Sequence, residues 1–268
     1  MKSFVNGVNL AYEDIGKGPA VMLIHGFPLR RTMWRHQAKA LVEAGYRVVL
    51  PDLRGFGESE VPDGPYSMDV FADDLAMLLA HLGIGKAVVG GMSMGGYILL
   101  NMLERHRTRI KAACFIVTRA GADEAAGKAR RTELAHAVQE KGPAEVSQSF
   151  EAILFARETP LRNPTLVAEV SEWMLGTDPR GLAAGLLAMR DRRDYSSAIG
   201  IFDLPALVIK AGEDRAIPPA EADLLAAGLP RATLCTLEGG GHMVNLEQPE
   251  GFNACLLDFL RRVSPCQG

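Results

Sequence analysis

Five residues constrain this chain more than any others: Gly91-Met92-Ser93-Met94-Gly95, a G-x-S-x-G pattern. A short apolar run, Ala87-Val88-Val89, leads into it, and a helix-like segment from Tyr97 to His106 leads out. A strand that turns directly into a helix holds the corner residue at a strained backbone angle, with its side chain pointing out of the fold. Glycines must flank the corner, because a side chain there would collide with the neighbouring strand or helix. The helix beginning at Ser93 also turns its first N–H groups toward any anion formed beside them. In this context Ser93 is a candidate nucleophile, with a simple helix N-cap as the alternative.

The segments on either side predict an α/β fold. The runs from Lys2 to Val5 and from Val8 to Tyr12 alternate and meet at Asn6-Gly7, a dipeptide suited to a tight hairpin; Asp14 to Pro19 reads as a loop. Apolar runs at Ala20 to Ile24, Tyr46 to Leu50, Val88-Val89, Ala112 to Val117 and Leu204 to Lys210 suit parallel strands buried on both faces, and Ala232 to Leu237 is a further strand. Helices are predicted at 34–44, from a cap at Ser67 through Leu82, at 97–106, at 219–228, and from Pro249 onward. This alternation predicts a right-handed wind about a mostly parallel, eight-stranded sheet. From about residue 120 to 199 strands disappear, and breakers at Gly142-Pro143, Asn163-Pro164 and Asp178-Pro179 divide roughly four helices. The predicted organisation is a core of residues 1–119 and 200–268 carrying a helical lid of residues 120–199.

Composition narrows the partners. A length of 268 residues with 48% apolar content suits one sizeable α/β core. The net charge of −3 and the scattered arginines give no basis for nucleic acid or an anionic membrane surface. No apolar stretch is long enough to span a bilayer, and Met1 to Gly7 does not read as a secretion signal, so a reducing cytoplasm is the expectation. Cys114, Cys235, Cys255 and Cys266 are widely spaced without a metal-ligand pattern, which predicts neither a disulfide nor a metal; Cys114 and Cys255 read as small core residues.

Sites in open parallel sheets lie at the carboxyl ends of the strands. Ser93, Asp214, His242 and the loop His25-Gly26-Phe27-Pro28 all follow predicted strands. A serine hydroxyl needs a base to take its proton, and an imidazole titrates near neutrality, which casts His242 as base. Asp214 would accept the other imidazole N–H and fix the tautomer. Glu213 and Asp203 compete for that position, while Asp52 precedes Ser93 and is expected to tie down its own loop. His81, His106 and His136 fall on or at the ends of helices. The oxyanion of a tetrahedral intermediate would meet the backbone N–H groups of Phe27 and Met94, since Pro28 has none. His25 reads as a brace for that loop, with contact to substrate as its alternative.

On these residues the chain resembles the α/β-hydrolase superfamily along nearly its whole length. The resemblance rests on His25-Gly26-Phe27-Pro28, Asp52 to Ser59, Gly91 to Gly96, Gly212-Glu213-Asp214 and Gly241 to Pro249. Within that superfamily it is most similar to lid-bearing bacterial carboxylesterases and the 3-oxoadipate enol-lactonase group, with non-haem haloperoxidase-type enzymes close by. The resemblance implies a cofactor-free serine hydrolase acting on a small-molecule ester or lactone. Dehalogenases and epoxide hydrolases of this superfamily carry aspartate where this chain has Ser93. Some members act as ligand sensors instead, a third reading that an intact triad does not exclude.

The lid offers substrate hints. Trp173 and its apolar neighbours Met174, Leu175, Phe150, Ile153, Leu154 and Phe155 either line a pocket or form the lid's own core. Arg119 follows a strand near the site's rim, where it would hold a substrate carboxylate in a bidentate pair or join a surface ion pair.

Overall fold

Eight strands form one sheet in a computed structural model that describes residues 1–266. They are β1 (Lys2–Val5), β2 (Val8–Ile15), β3 (Ala20–Ile24), β4 (Arg47–Pro51), β5 (Ala87–Met92), β6 (Ile110–Ile116), β7 (Ala206–Ala211) and β8 (Ala232–Leu237). The order is β1-β2-β4-β3-β5-β6-β7-β8, antiparallel as far as β4 and parallel from there on. Asn6 and Gly7 both take positive φ, 48° and 75°, as the tight β1–β2 turn requires. The β2 strand runs past the expected loop boundary to Ile15. Its backbone completes the ladder against Val48 to Pro51, while the Asp14 carboxylate is held by Arg47 at 2.7 and 2.8 Å. Polar side chains at a sheet margin hid strand that the backbone pairing enforces.

Alternation along the strands separates two apolar layers. Val21, Leu23, Val88, Cys114, Ile116 and Ile209 face α1 (Arg35–Glu43) and, at the other end of the chain, a helix over Pro249–Val263. Met22, Ile24, Val89, Phe115 and Val208 face α2 (Met68–His81), α3 (Met94–Arg105) and a helix over Pro219–Gly228. Ser67 caps α2 through its hydroxyl, which accepts from Val70 N–H at 3.2 Å. Phe71, Leu75, Leu78 and Leu79 of that helix are completely buried, each contributing roughly 1.5–3 kcal/mol.

Between β6 and β7 lie five helices: α4 (Ala125–Lys141), α5 (Ala144–Leu154), α6 (Thr159–Arg162), α7 (Pro164–Leu175) and α8 (Pro179–Arg190). The one that spacing did not reveal is α6, a single turn. Helix α8 packs so closely on the core that a Cβ on Gly181 would lie 2.0 Å from the Gly55 carbonyl oxygen. Asp123 pins the insertion's base. It accepts from Arg192 at 2.9 Å and also pairs with Arg119 and Arg131. Burial would raise its pKa, but the hydrogen bonds and charges of Arg192 and Arg131 outweigh burial and hold the carboxyl well below its ordinary range.

The chain ends through α9 (Pro219–Gly228), β8, the single turn α10 (Val244–Glu247) and α11 (Pro249–Val263). One expectation fails here: Cys235 on β8 and Cys255 on α11 are joined as a disulfide. A separation of 20 positions concealed that this strand and helix lie side by side, with Cα atoms 6.4 Å apart. Cys255 is therefore not a free core residue, whereas Cys114 is.

Candidate active site

The site grows from β5, near the middle of the sheet. Ser93 follows its last residue with φ 53° and ψ −115°, a left-handed conformation that costs a residue with a Cβ about 1–3 kcal/mol. The surroundings impose it. Ser93 N–H donates to Ile116 O at 3.0 Å, and Ser93 O accepts from Thr118 Oγ1 at 2.8 Å and Gly96 N–H at 2.9 Å. A Cβ on Gly91 would fall 2.1 Å from Gly95 O, and one on Gly95 would fall 2.6 Å from Ile24 O. The corner can be this tight only because both positions are glycine. Ser93 occupies the N-cap position of α3, yet its hydroxyl makes no capping bond, and the residue remains partly exposed.

The neighbouring strand β3 delivers the loop from His25 to Pro28. Gly26 brings it against the corner: a Cβ there would stand 3.4 Å from Ser93 Cβ. Among the described residues neither Phe27 N–H nor Met94 N–H donates to an internal acceptor. His25 is fully buried with both ring nitrogens engaged, Nδ1 with Gly26 O at 2.9 Å and Nε2 accepting from Leu53 N–H at 3.0 Å. Burial pushes its pKa down, against the opposing pull of Asp52, and favours a neutral ring. His25 is therefore a brace. Both of its ring nitrogens are committed to the protein, so a substrate would meet it only through ring carbon.

Asp214 follows β7 and His242 follows β8. Asp214 Oδ2 receives His242 Nδ1 at 2.8 Å, while Oδ1 accepts from Ala216 N–H at 2.8 Å and Ile217 N–H at 2.9 Å. Three donors thus fix the carboxylate, and a further bond from Glu213 N–H to Gly240 O at 2.8 Å ties the two loops together. Both side chains are buried. Among the described residues no hydrogen bond joins Ser93 to His242; in unliganded sites such contacts are often long and tighten with substrate. Asp52 is fully buried and accepts from Arg31 N–H at 2.7 Å and Glu58 N–H at 2.9 Å, holding its own loop.

Residue patterns of this kind are shared with known proteins. A model of the alpha/beta hydrolase fold matches residues 19–249. The chain belongs to this family. A thermophilic esterase from Thermogutta terrifontis superposes with a TM-score of 0.95 at 35% identity, covering 98% of each chain. The enol-lactonase from Burkholderia xenovorans superposes with a TM-score of 0.91 at 28% identity, covering 97% of this chain and 99% of the other. A non-heme chloroperoxidase from Kitasatospora aureofaciens is 30% identical over 96% of this chain and 98% of its own length.

The insertion of this α/β hydrolase meets the site through aromatic rings. Phe150 on α5 sits 5.2 Å from the Phe27 ring, centroid to centroid, and packs against both apolar layers, which a residue can do only beyond the ends of the strands. Trp173 is buried within the apolar layer that faces α1. Its ring carries the guanidinium groups of Arg30 and Arg35 at 5.5 and 5.7 Å, and it fastens α7 to the core. Arg119 is paired with Asp123 through one terminal nitrogen, Glu221 stands 4.0 Å away, and its buried Nε has no hydrogen-bond partner among the described residues. Among the described residues no trio of histidine, cysteine or carboxylate side chains is arranged to hold a metal, and no helix is long and apolar enough to cross a membrane. Thr118, which holds the Ser93 carbonyl, escaped the sequence reading. Its only signal is a small polar residue just past a buried strand.

Proposed function

We propose that this chain is a serine hydrolase that cleaves a carboxylic ester of small to medium, mostly apolar character through an acyl-enzyme. The observation that carries the reading is the buried Asp214–His242 pair, 2.8 Å apart, at the same end of the sheet as the strained Ser93 corner. Asp214 accepts a hydrogen bond from Nδ1–H and keeps that proton on the ring, so Nε2 presents its lone pair and takes the Ser93 proton as Oγ attacks the ester carbonyl carbon. The N–H groups of Phe27 and Met94 receive the oxyanion. His242 then protonates the departing alkoxide, and a water molecule, deprotonated by the same imidazole, hydrolyses the acyl group. Residues 120–199 act as a lid that confines the acyl or alcohol group beneath Phe150. Similarity to an esterase and to an enol-lactonase supports ester or lactone chemistry in general terms.

The test combines fluorophosphonate labelling with turnover of nitrophenyl esters of increasing chain length. Labelling is expected at Ser93 alone, and Ser93→Ala is expected to lower kcat by ~10^4-fold or more while the protein stays folded. A folded Ser93→Ala protein that retains most of its activity overturns the proposal.

A further inference from the structure

Glu247 closes α10 shortly after His242, and the chemistry above makes no use of it. Its carboxylate faces three donors: Oε2 accepts from Gly241 N–H at 2.9 Å, and Oε1 accepts from Ala156 N–H at 2.8 Å and Thr159 Oγ1 at 2.6 Å. Gly241 directly precedes His242, whereas Ala156 lies in the α5–α6 connection of the insertion and Thr159 opens α6. A second tie follows on the other side of the histidine, where Met243 N–H donates to Leu154 O at 2.9 Å. There is no slack between the two segments, since a Cβ on Gly241 would lie 2.1 Å from Ala156 N. Among the described residues no lysine or arginine pairs with Glu247. A mostly buried carboxylate without a cation is retained at a cost in desolvation, so its three donors are what justify it.

We propose that Glu247 is a positioning residue, which holds the His242 loop against the α5–α6 connection so that the base is correctly placed only when the insertion is seated. The proposal rests on the reading of His242 as base. Displacing a reacting group by about 1 Å costs up to ~10^2-fold in rate, which sets the scale of the effect.

Glu247→Gln keeps the volume but turns an NH2 group toward a donor, which breaks one side of the link. Two rates are measured at 25 °C: the fluorophosphonate labelling rate at Ser93, and kcat and KM on a short nitrophenyl ester. Both the labelling rate and kcat are expected to fall together by ~10- to 100-fold, with KM little changed. A variant that melts earlier yet labels and turns over like the wild type shows a purely structural residue and overturns the inference. Should Glu247→Gln fail to fold, Thr159→Val carries the test, because it keeps the carboxylate and loses one donor. Slower labelling at unchanged KM supports the inference, and an unchanged labelling rate overturns it. Absence of labelling in the wild-type protein would instead refute the assignment of Ser93 and His242, so the two failures are distinguishable.

Discussion

Replacing Asp214 by asparagine exchanges one oxygen for nitrogen at almost constant volume, and the surrounding bonds decide which one. Oδ1 is approached by two backbone donors, Ala216 N–H and Ile217 N–H, at 2.8 and 2.9 Å. An amide nitrogen there would face two N–H groups, so the amide oxygen takes that place and the NH2 turns toward His242. Nδ1 must then accept, which moves the ring proton to Nε2 and presents Ser93 with a donor where it needs an acceptor. A wrong tautomer of this kind costs about 10^4-fold in kcat, or about 5.4 kcal/mol of transition-state stabilisation. Stability should hardly change, because both backbone donors keep a partner. Asp214→Ala should lose a comparable factor in rate, but it leaves both N–H groups without an acceptor and should lose a further ~2–6 kcal/mol of stability. The assay is kcat/KM on a nitrophenyl ester, with urea melts of all three proteins alongside. Activity of Asp214→Asn within tenfold of wild type would refute the tautomer argument. An asparagine variant as unstable as the alanine variant would refute the assignment of Oδ1.

Two further outcomes concern the frame around the site. Asp123→Asn leaves Arg119, Arg131 and Arg192 without their shared carboxylate and should cost ~3–5 kcal/mol at neutral pH in a denaturant melt. Because the folded pKa of Asp123 lies below that of the unfolded chain, its contribution is present above the ordinary aspartate value of 3.8 and fades as pH falls below it. The wild-type and variant melts should therefore converge in acid, and a constant gap would contradict the ion cluster. Reducing the Cys235–Cys255 bond, or replacing Cys235 by serine, reopens a loop of 20 positions and should remove about 3 kcal/mol. Thermal melts with and without reductant should then differ by roughly 6–10 °C, and coincident melts would show that the bond adds nothing.

Much of the architecture was legible because buried parallel strands and amphipathic helices write their periods directly into the chain. The Ser93 corner was legible for a stronger reason: its glycines are sterically compulsory, so the motif and the geometry are one fact. The contact between Asp214 and His242 could be anticipated because strand ends converge on one edge of the sheet. Arg119 and Trp173 show where that reasoning stops. Proximity to a rim follows from chain order, but Arg119's partner Asp123 and Trp173's neighbours Arg30 and Arg35 come from packing that no local pattern encodes. The Cys235–Cys255 pair was hidden for the same reason, since spacing along a chain is silent about a strand and helix that meet in space. Glu247 stood in plain view within a matched motif, but its role requires knowing that the α5–α6 connection lies opposite.

Parallel neighbours such as β6 and β7 cannot be joined by a tight turn; the chain must leave at one end of the sheet and return to the other. In this protein that obligatory detour is where the five extra helices reside, and it departs from the end that holds Ser93. The pairing of Ala113 with Ala206 and of Ile116 with Ile209 is indifferent to the length of the excursion. The sheet therefore sets no length for residues 120–199; the limits on that stretch come instead from where it is fastened to the core, Gly181 against Gly55 and Ala156 and Thr159 on Glu247. Freedom of register in the sheet is thus offset by a few fixed points of attachment, and only the stretches between them are at liberty to change length.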